Sequence, residues 1–257
     1  EIGGNHEGNF DKAKELTNLA IKSGADCIKF QLYQGDTLVS KVESPDRVQH
    51  FKKFELSKEE HIHLATMCID NGLSYNASVW DLEMLEWIDP YLDFYKIGSG
   101  DLTAWPIIKE FAKRGKPILL SSGLATFEEV VQTIEYIQSV NSAYLYPEML
   151  CIMQCTSMYP IDRKDANINV MREIGVMTGL SVGYSDHTEG SEALKIAAIM
   201  GANALEFHFT DTRKDKIFRD HKVSLTADEV QILINELEIV REFQGSASKL
   251  PQDSEIE

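Results

Sequence analysis

The chain is poor in cysteine, in basic residues and in long apolar runs. Four cysteines, Cys27, Cys68, Cys151 and Cys155, are scattered over 257 residues, and no two form a CxxC pair. A chain of this length buries enough surface to fold without cross-links, so a disulfide framework is excluded. Cys27 and Cys151 fall in apolar strand-like runs and Cys68 on the apolar face of a helix, a pattern of reduced core thiols in a cytoplasmic protein. Lys and Arg number 25 against 41 Asp and Glu, a net charge of −16. No basic stretch exceeds a few residues, which argues against nucleic acid as a partner, and anionic membrane surfaces would repel such a chain. No apolar run approaches the roughly 20 residues that a membrane helix needs. No secretory signal is visible, although the chain begins at Glu1 inside a strand-like run.

What is present is alternation. Short β-rich runs occur at 1–5, 26–31, 73–78, 93–98, 117–122, 149–155, 180–185 and 204–209, several apolar nearly throughout, as strands buried on both faces are. Helical patterns lie between them. Ser57 with Glu60, Thr126 with Glu129 and Thr226 with Glu229 read as capping boxes, and Val130, Ile134 and Ile137 share one helical face. Pro106 suits a first helical turn, and Gly24, Gly72, Gly115 and Gly201 stand where helices should stop. Eight strand–helix units in 257 residues predict a (β/α)8 TIM barrel over 1–245. A doubly wound open sheet is the alternative, but "GGNHEG" at 3–8 is not the glycine fingerprint such folds carry after their first strand. The long charged loop from Tyr33 to Ser57 reads as a lid or substrate loop, and 246–257 as a polar tail leaving the barrel.

In such a barrel the C-terminal strand ends form the active rim, and polar residues collect there. Glu1, Asn5 and His6 belong to the first unit, Lys29 and Gln31 to the second, and Ser78 to the third. Lys96, Ser99 and Asp101 follow the fourth, Ser121 and Ser122 the fifth, and Thr156, Ser157 and Tyr159 the sixth. Ser185, Asp186 and His187 follow the seventh, and Glu206, His208 and Thr210 the eighth. A single strand lysine can snorkel to solvent; two in apolar strands, Lys29 and Lys96, define an anion site if both point inward. Ser99, Ser121 and Ser185 could each be turn or N-cap residues, yet with "GSG" at 98–100 and "SSG" at 121–123 they also suit phosphate. His187 and His208 end neighbouring strands about 4.8 Å apart, so both imidazoles can reach one cation. His61 and His63, two apart on a helix, and His50 in the loop read as surface residues.

Taken in order, "EIGGNHEG", "KFQ", "YKIGSGDL", "SSG", "CTSMYP", "GYSDHT" and "LEFHFTD" resemble the sialic acid synthase family, with its legionaminate, pseudaminate and spore-coat polysaccharide relatives. The resemblance implies condensation of phosphoenolpyruvate with an open-chain N-acetylated hexosamine, of the N-acetylmannosamine kind, to a nonulosonic acid and phosphate. It implies a divalent metal, Mn2+ or else Mg2+ or Co2+, with His187 and His208 as its ligands. Glu1 matches the carboxylate beside the reacting end of the sugar. Lys29, Gln31, Ser78, Lys96, Ser99, Ser121 and Ser185 match positions that hold phosphoenolpyruvate, and Tyr159 one near the sugar. Ser157 stands where some members have asparagine, and "YNASVWD" departs from the commoner run, which bears on the identity of the sugar. The family implies a homodimer and, beyond residue 257, a small antifreeze-like domain. Two other readings use the same residues: a Schiff-base aldolase with Lys29 or Lys96 as nucleophile, and a non-catalytic barrel binding glycans or phosphosugars.

Overall fold

The structure, a computed structural model, describes residues 1–256. Its strands are β1 (Cys27–Leu32), β2 (Ser74–Val79), β3 (Tyr95–Ile97), β4 (Ile118–Ser121), β5 (Leu150–Cys155), β6 (Ser181–Asp186) and β7 (Ala204–Phe207). The helices are α1 (Phe10–Ser23), α2 (Gly35–Leu38), α3 (Pro45–Phe54), α4 (Lys58–Asp70), α5 (Leu82–Ile88) and α6 (Trp105–Arg114). They continue with α7 (Phe127–Val140), α8 (Ile168–Thr178), α9 (Glu192–Ile199), α10 (Asp220–Val223) and α11 (Ala227–Gln244). Every strand pairing is parallel. β1 pairs with β2, and β3 to β7 form a five-stranded sheet in sequence order that curls into half a barrel. Parallel neighbours joined through helices make this an α/β fold.

The local signals explain the elements. The three capping boxes form as the sequence predicts, at the starts of α4, α7 and α11. Pro106 sits in the first turn of α6, where a missing N–H costs nothing. Gly24 and Gly115 close α1 and α6 in the left-handed region, at φ 87° and 75°. β5 is buried at all six positions, which is why its sequence shows no alternation.

Three expectations change. The run 1–5 is not a strand. Gly3 takes φ +53° and the backbone turns at once, with Asn5 N donating to Ile2 O and Glu7 N to Gly4 O, so two consecutive glycines divert the chain into α1. Only Glu1 and Ile2 keep strand-like bonds. Glu1 N donates to Phe207 O at 2.7 Å, Phe209 N to Glu1 O at 2.8 Å, and Ile2 N to Lys29 O at 2.9 Å. Between β2 and β3 a single bridge, Tyr75 with Leu92, takes the place of a ladder, and the Asn76 amide donates to Phe94 O at 2.7 Å. The eight-stranded pattern is thus realised as sheets of two and five strands. His61 is not a surface residue. It shares the buried stripe of α4 with Leu64, Ala65 and Cys68, at the i, i+3, i+4, i+7 spacing, and bonds the Tyr75 hydroxyl at 2.7 Å. His50 and His63 are exposed. All four cysteines are free thiols, and among the described residues no helix is long and apolar enough to cross a membrane.

Candidate active site

Strand periodicity assembles the site. Side chains two apart on a strand share a face, and parallel register sets which neighbours meet. Lys29 lies beside Asn76 and Gln31 beside Ser78 across β1 and β2. Ser185 lies beside Glu206 across β6 and β7, and stepping on by two brings His187 alongside His208. Two layers result. Lys29, Ser185 and Glu206 form a lower one, with Lys96 reaching into it from β3; Gln31, Ser78, His187 and His208 lie above. All of them, with Glu1, Ser99, Ser121, Ser157 and Tyr159, line one cavity of about 320 Å³.

The lower layer is ionic. Glu206 stands 3.3 Å from Lys96 Nζ and 3.6 Å from Lys29 Nζ, and accepts from Ser185 Oγ at 2.8 Å. Lys96 also donates to Ser121 Oγ at 2.7 Å, and Lys29 pairs with the Glu1 carboxylate. Burial pushes the Lys29 ammonium down to about 8, with Glu206 partly restoring it. Burial raises the Glu206 carboxyl, but Lys29 and Lys96 together outweigh it and hold the group well below the usual carboxylate range. Two buried cations thus face two carboxylates, and Glu1 Oε1 is buried with no hydrogen-bond partner.

The hydroxyl cradle is built around a glycine. Gly123 N donates to Ser99 Oγ at 3.0 Å. A Cβ at Gly123 would meet Ser157 Oγ at 2.5 Å and Ser99 Oγ at 2.7 Å. The "SSG" motif is therefore a steric requirement: two hydroxyls close over a position that only glycine leaves open. Gly123→Ala should push both aside and weaken binding of an oxyanion at least tenfold, about the worth of one charged hydrogen bond, while the fold persists. Inorganic phosphate titrated by calorimetry checks this, and unchanged affinity would remove the serines from the anion site.

The upper layer is imidazole and aromatic. His187 Nδ1 lies 2.8 Å from Thr156 O, so it carries the proton and leaves Nε2 as the electron-pair donor. Burial holds His187 below the ordinary histidine range and His208 well below it, so both rings are neutral at pH 7. Their centroids are 5.4 Å apart, and Tyr159 lies against both, at 3.9 Å from His187 and 5.5 Å from His208. His208 Nδ1 is buried without a hydrogen-bond partner, 3.9 Å from Asp220 Oδ2. Neutral imidazoles so placed suit a divalent cation. Among the described residues no group of three or more His, Cys, Asp or Glu converges on one point, so such an ion would complete its shell from substrate or water.

The twelve site residues that the sequence nominates all line this one cavity, together with Glu206, which the sequence placed at the rim without a role. The signal existed, because Glu206 is two residues before His208 on the same strand face. The 33–57 segment, expected as a lid or substrate loop, does wall the cavity, but it carries α2 and α3, and the sequence did not single out its lining residues Leu38, Val39, Arg47 and Phe51; Trp80 beside them donates its indole N–H to Asp101. Nothing in a charged, exposed segment marks which of its residues turn inward.

The comparisons agree with this geometry. Residues 16–249 match the model of the NeuB family. The chain is 32% identical to an N,N'-diacetyllegionaminic acid synthase of Legionella pneumophila, over 100% of this chain and 75% of that one. It is 31% identical to an N-acetylneuraminate-9-phosphate synthase of Mus musculus, over 97% and 71%. The crystal structure of an N-acetylneuraminic acid synthetase from Leptospira borgpetersenii, in complex with citrate, superposes with a TM-score of 0.90 at 26% identity, covering 99% of this chain and 87% of that one. Ordered motifs, strand register and these matches converge, and the chain belongs to the NeuB family as an enzyme of the sialic acid synthase type.

Proposed function

We propose that this enzyme condenses phosphoenolpyruvate with an open-chain N-acetylated hexosamine, of the N-acetylmannosamine kind, to give a nonulosonic acid and phosphate. The observation that carries the reading is the meeting of Lys29 and Lys96 with His187 and His208 in one cavity. The lysines, with Gln31, Ser78, Ser99, Ser121 and Ser185, hold the carboxylate and phosphate of phosphoenolpyruvate. Ser157 and Tyr159 face the sugar. His187 and His208 would hold Mn2+, or Mg2+ or Co2+ in its place; when bound, the ion supplies Lewis acidity at the sugar aldehyde. Carbon 3 of the enol phosphate bonds to carbon 1 of the sugar as the aldehyde C=O pair moves onto its oxygen, which takes up a proton to become a hydroxyl, leaving positive charge at carbon 2, where water adds. Glu1 orients that water and takes its proton, for which its unpartnered Oε1 is suited. The tetrahedral centre collapses as its bond to the phosphate oxygen breaks. The same reading includes a closed (β/α)8 barrel, with Glu1 and Ile2 in the place of the first strand, and a homodimer in the cytoplasm.

Phosphate release from phosphoenolpyruvate should depend on both Mn2+ and an N-acetylated hexosamine when a panel of such sugars is assayed. Release without a sugar, or none with any sugar, would overturn the reading. The lowered Lys29 also fits a Schiff-base aldolase. Borohydride with pyruvate separates the two: covalent trapping supports the aldolase, and its absence the condensation.

A further inference from the structure

Asp186 is a buried carboxylate that the condensation leaves without a part. It ends β6 between two cavity-lining residues, Ser185 and His187, and by strand alternation its own side chain turns the other way. It is buried all the same, beside the core residue Tyr184. Burying a charge is costly unless hydrogen bonds replace the lost water. Three neutral donors do so here. Thr188 N donates to Oδ1 at 2.9 Å, Tyr184 Oη to Oδ1 at 3.2 Å, and Thr188 Oγ1 to Oδ2 at 2.9 Å.

The two bonds from Thr188 close an Asx-type turn over a single residue, and that residue is His187. Two more bonds hold the histidine elsewhere. Ile161 N donates to His187 O at 3.0 Å, and His187 Nδ1 donates to Thr156 O at 2.8 Å. The aim of the ring therefore depends on where the 186–188 backbone sets its Cα–Cβ bond. A tilt there would draw Nδ1 off Thr156 O and release the proton to either ring nitrogen. A carboxylate suits the position because it only accepts, and the site offers donors. Asparagine would keep Oδ1 but turn its NH2 toward the Thr188 hydroxyl. His208 has no comparable clamp, since its Nδ1 is buried without a hydrogen-bond partner. Of the two imidazoles, His187 is the one set in advance.

We infer that Asp186 is a positioning residue for the divalent cation: its carboxylate locks the 186–188 turn and so presents His187 with Nδ1 protonated and Nε2 free. The inference rests on the reading of His187 as a cation ligand and extends it to a residue outside the cavity. Ser185, one residue back, is held by its own bond to Glu206. Phosphoenolpyruvate binding should therefore be insensitive to Asp186.

The test is made on the full chain, for the parent, Asp186→Ala, Asp186→Asn and Thr188→Val. Nitrogen-15 NMR of the histidine rings without metal reads the tautomer, and calorimetry reads Mn2+ and phosphoenolpyruvate affinity. The parent's His187 should be the Nδ1–H tautomer. In Asp186→Ala a mixture of tautomers should replace it, and Mn2+ affinity should fall at least about tenfold while phosphoenolpyruvate affinity holds. Asp186→Asn, which keeps the Oδ1 acceptor, should fall between. Thr188→Val removes only the hydroxyl bond and should weaken Mn2+ about threefold, which decides the matter even if Asp186→Ala does not fold. Parent-like Mn2+ affinity in Thr188→Val, or a phosphoenolpyruvate loss that matches the Mn2+ loss, overturns the inference and leaves His187 a ligand. A parent that binds no Mn2+ overturns the cation reading and the inference with it.

Discussion

His187→Ala and His208→Ala are each expected to lower kcat/KM for condensation by at least about 10³-fold, on the order of 4 kcal/mol of transition-state stabilisation. Each ring lies in the upper layer of the cavity and is neutral because burial disfavours its protonated form. With only two imidazoles and no third protein ligand converging among the described residues, removing either leaves one donor, too few to hold a labile divalent ion. Stability should change little. His208 Nδ1 makes no hydrogen bond that its loss would break, and His187 gives up one bond to Thr156 O, worth about 1 kcal/mol. Calorimetric titration of Mn2+ into each variant should show no binding at concentrations that saturate the parent, with thermal midpoints within a few degrees of it. Tight Mn2+ binding by His187→Ala, or unfolding of either variant, would return the histidines to a structural role.

The difference between what was legible and what was not has a physical basis. Strand residues are readable because period two and parallel register fix which side chains converge, so Lys29, Lys96, Ser185, His187 and His208 meet as their spacing implies. Capping boxes and the glycines that end helices are local chemistry and read equally well. The strand at 1–5 failed because its apolar content is one isoleucine beside two glycines, and a turn competes with so short a strand. His61 failed because its two-residue offset from His63 was read without the leucine, alanine and cysteine that continue its stripe. Arg47 and Phe51 were out of reach, since their inward placement is set by packing of α3 on Tyr33 and Phe218, contacts distant in sequence that no periodicity encodes.

The second large effect concerns the floor of the cavity. Lys29→Met is expected to weaken phosphoenolpyruvate binding at least a hundredfold. Lys29 and Lys96 face Glu1 and Glu206 in a buried cluster, and removing one cation leaves two carboxylates and a single lysine to meet an incoming anion. Glu206, held well below its usual range by the two lysines, loses one of those supports. The cost to stability should be smaller than that of an ordinary broken buried ion pair, because burial already disfavours the charged Lys29. In Lys29→Met/Glu206→Gln one cation again faces one carboxylate, so any stability lost to the unbalanced carboxylate should return while binding does not. pH supplies an independent signature. Lys29 titrates near 8 in the folded protein, below the roughly 10.4 of an exposed lysine. The charged form binds the anion, so phosphoenolpyruvate affinity should fall as pH rises through about 8. Between about 8 and 10.4 the unfolded chain holds the extra proton, so this group makes stability rise with pH over the same window. Affinity and stability thus move in opposite directions in the parent, and Lys29→Met should lose the part of both trends that this lysine carries. Calorimetric titration of phosphoenolpyruvate and thermal melts across pH 7 to 10 measure the pair; a double variant that regains affinity along with stability would show that Lys29 holds the fold and not the ligand.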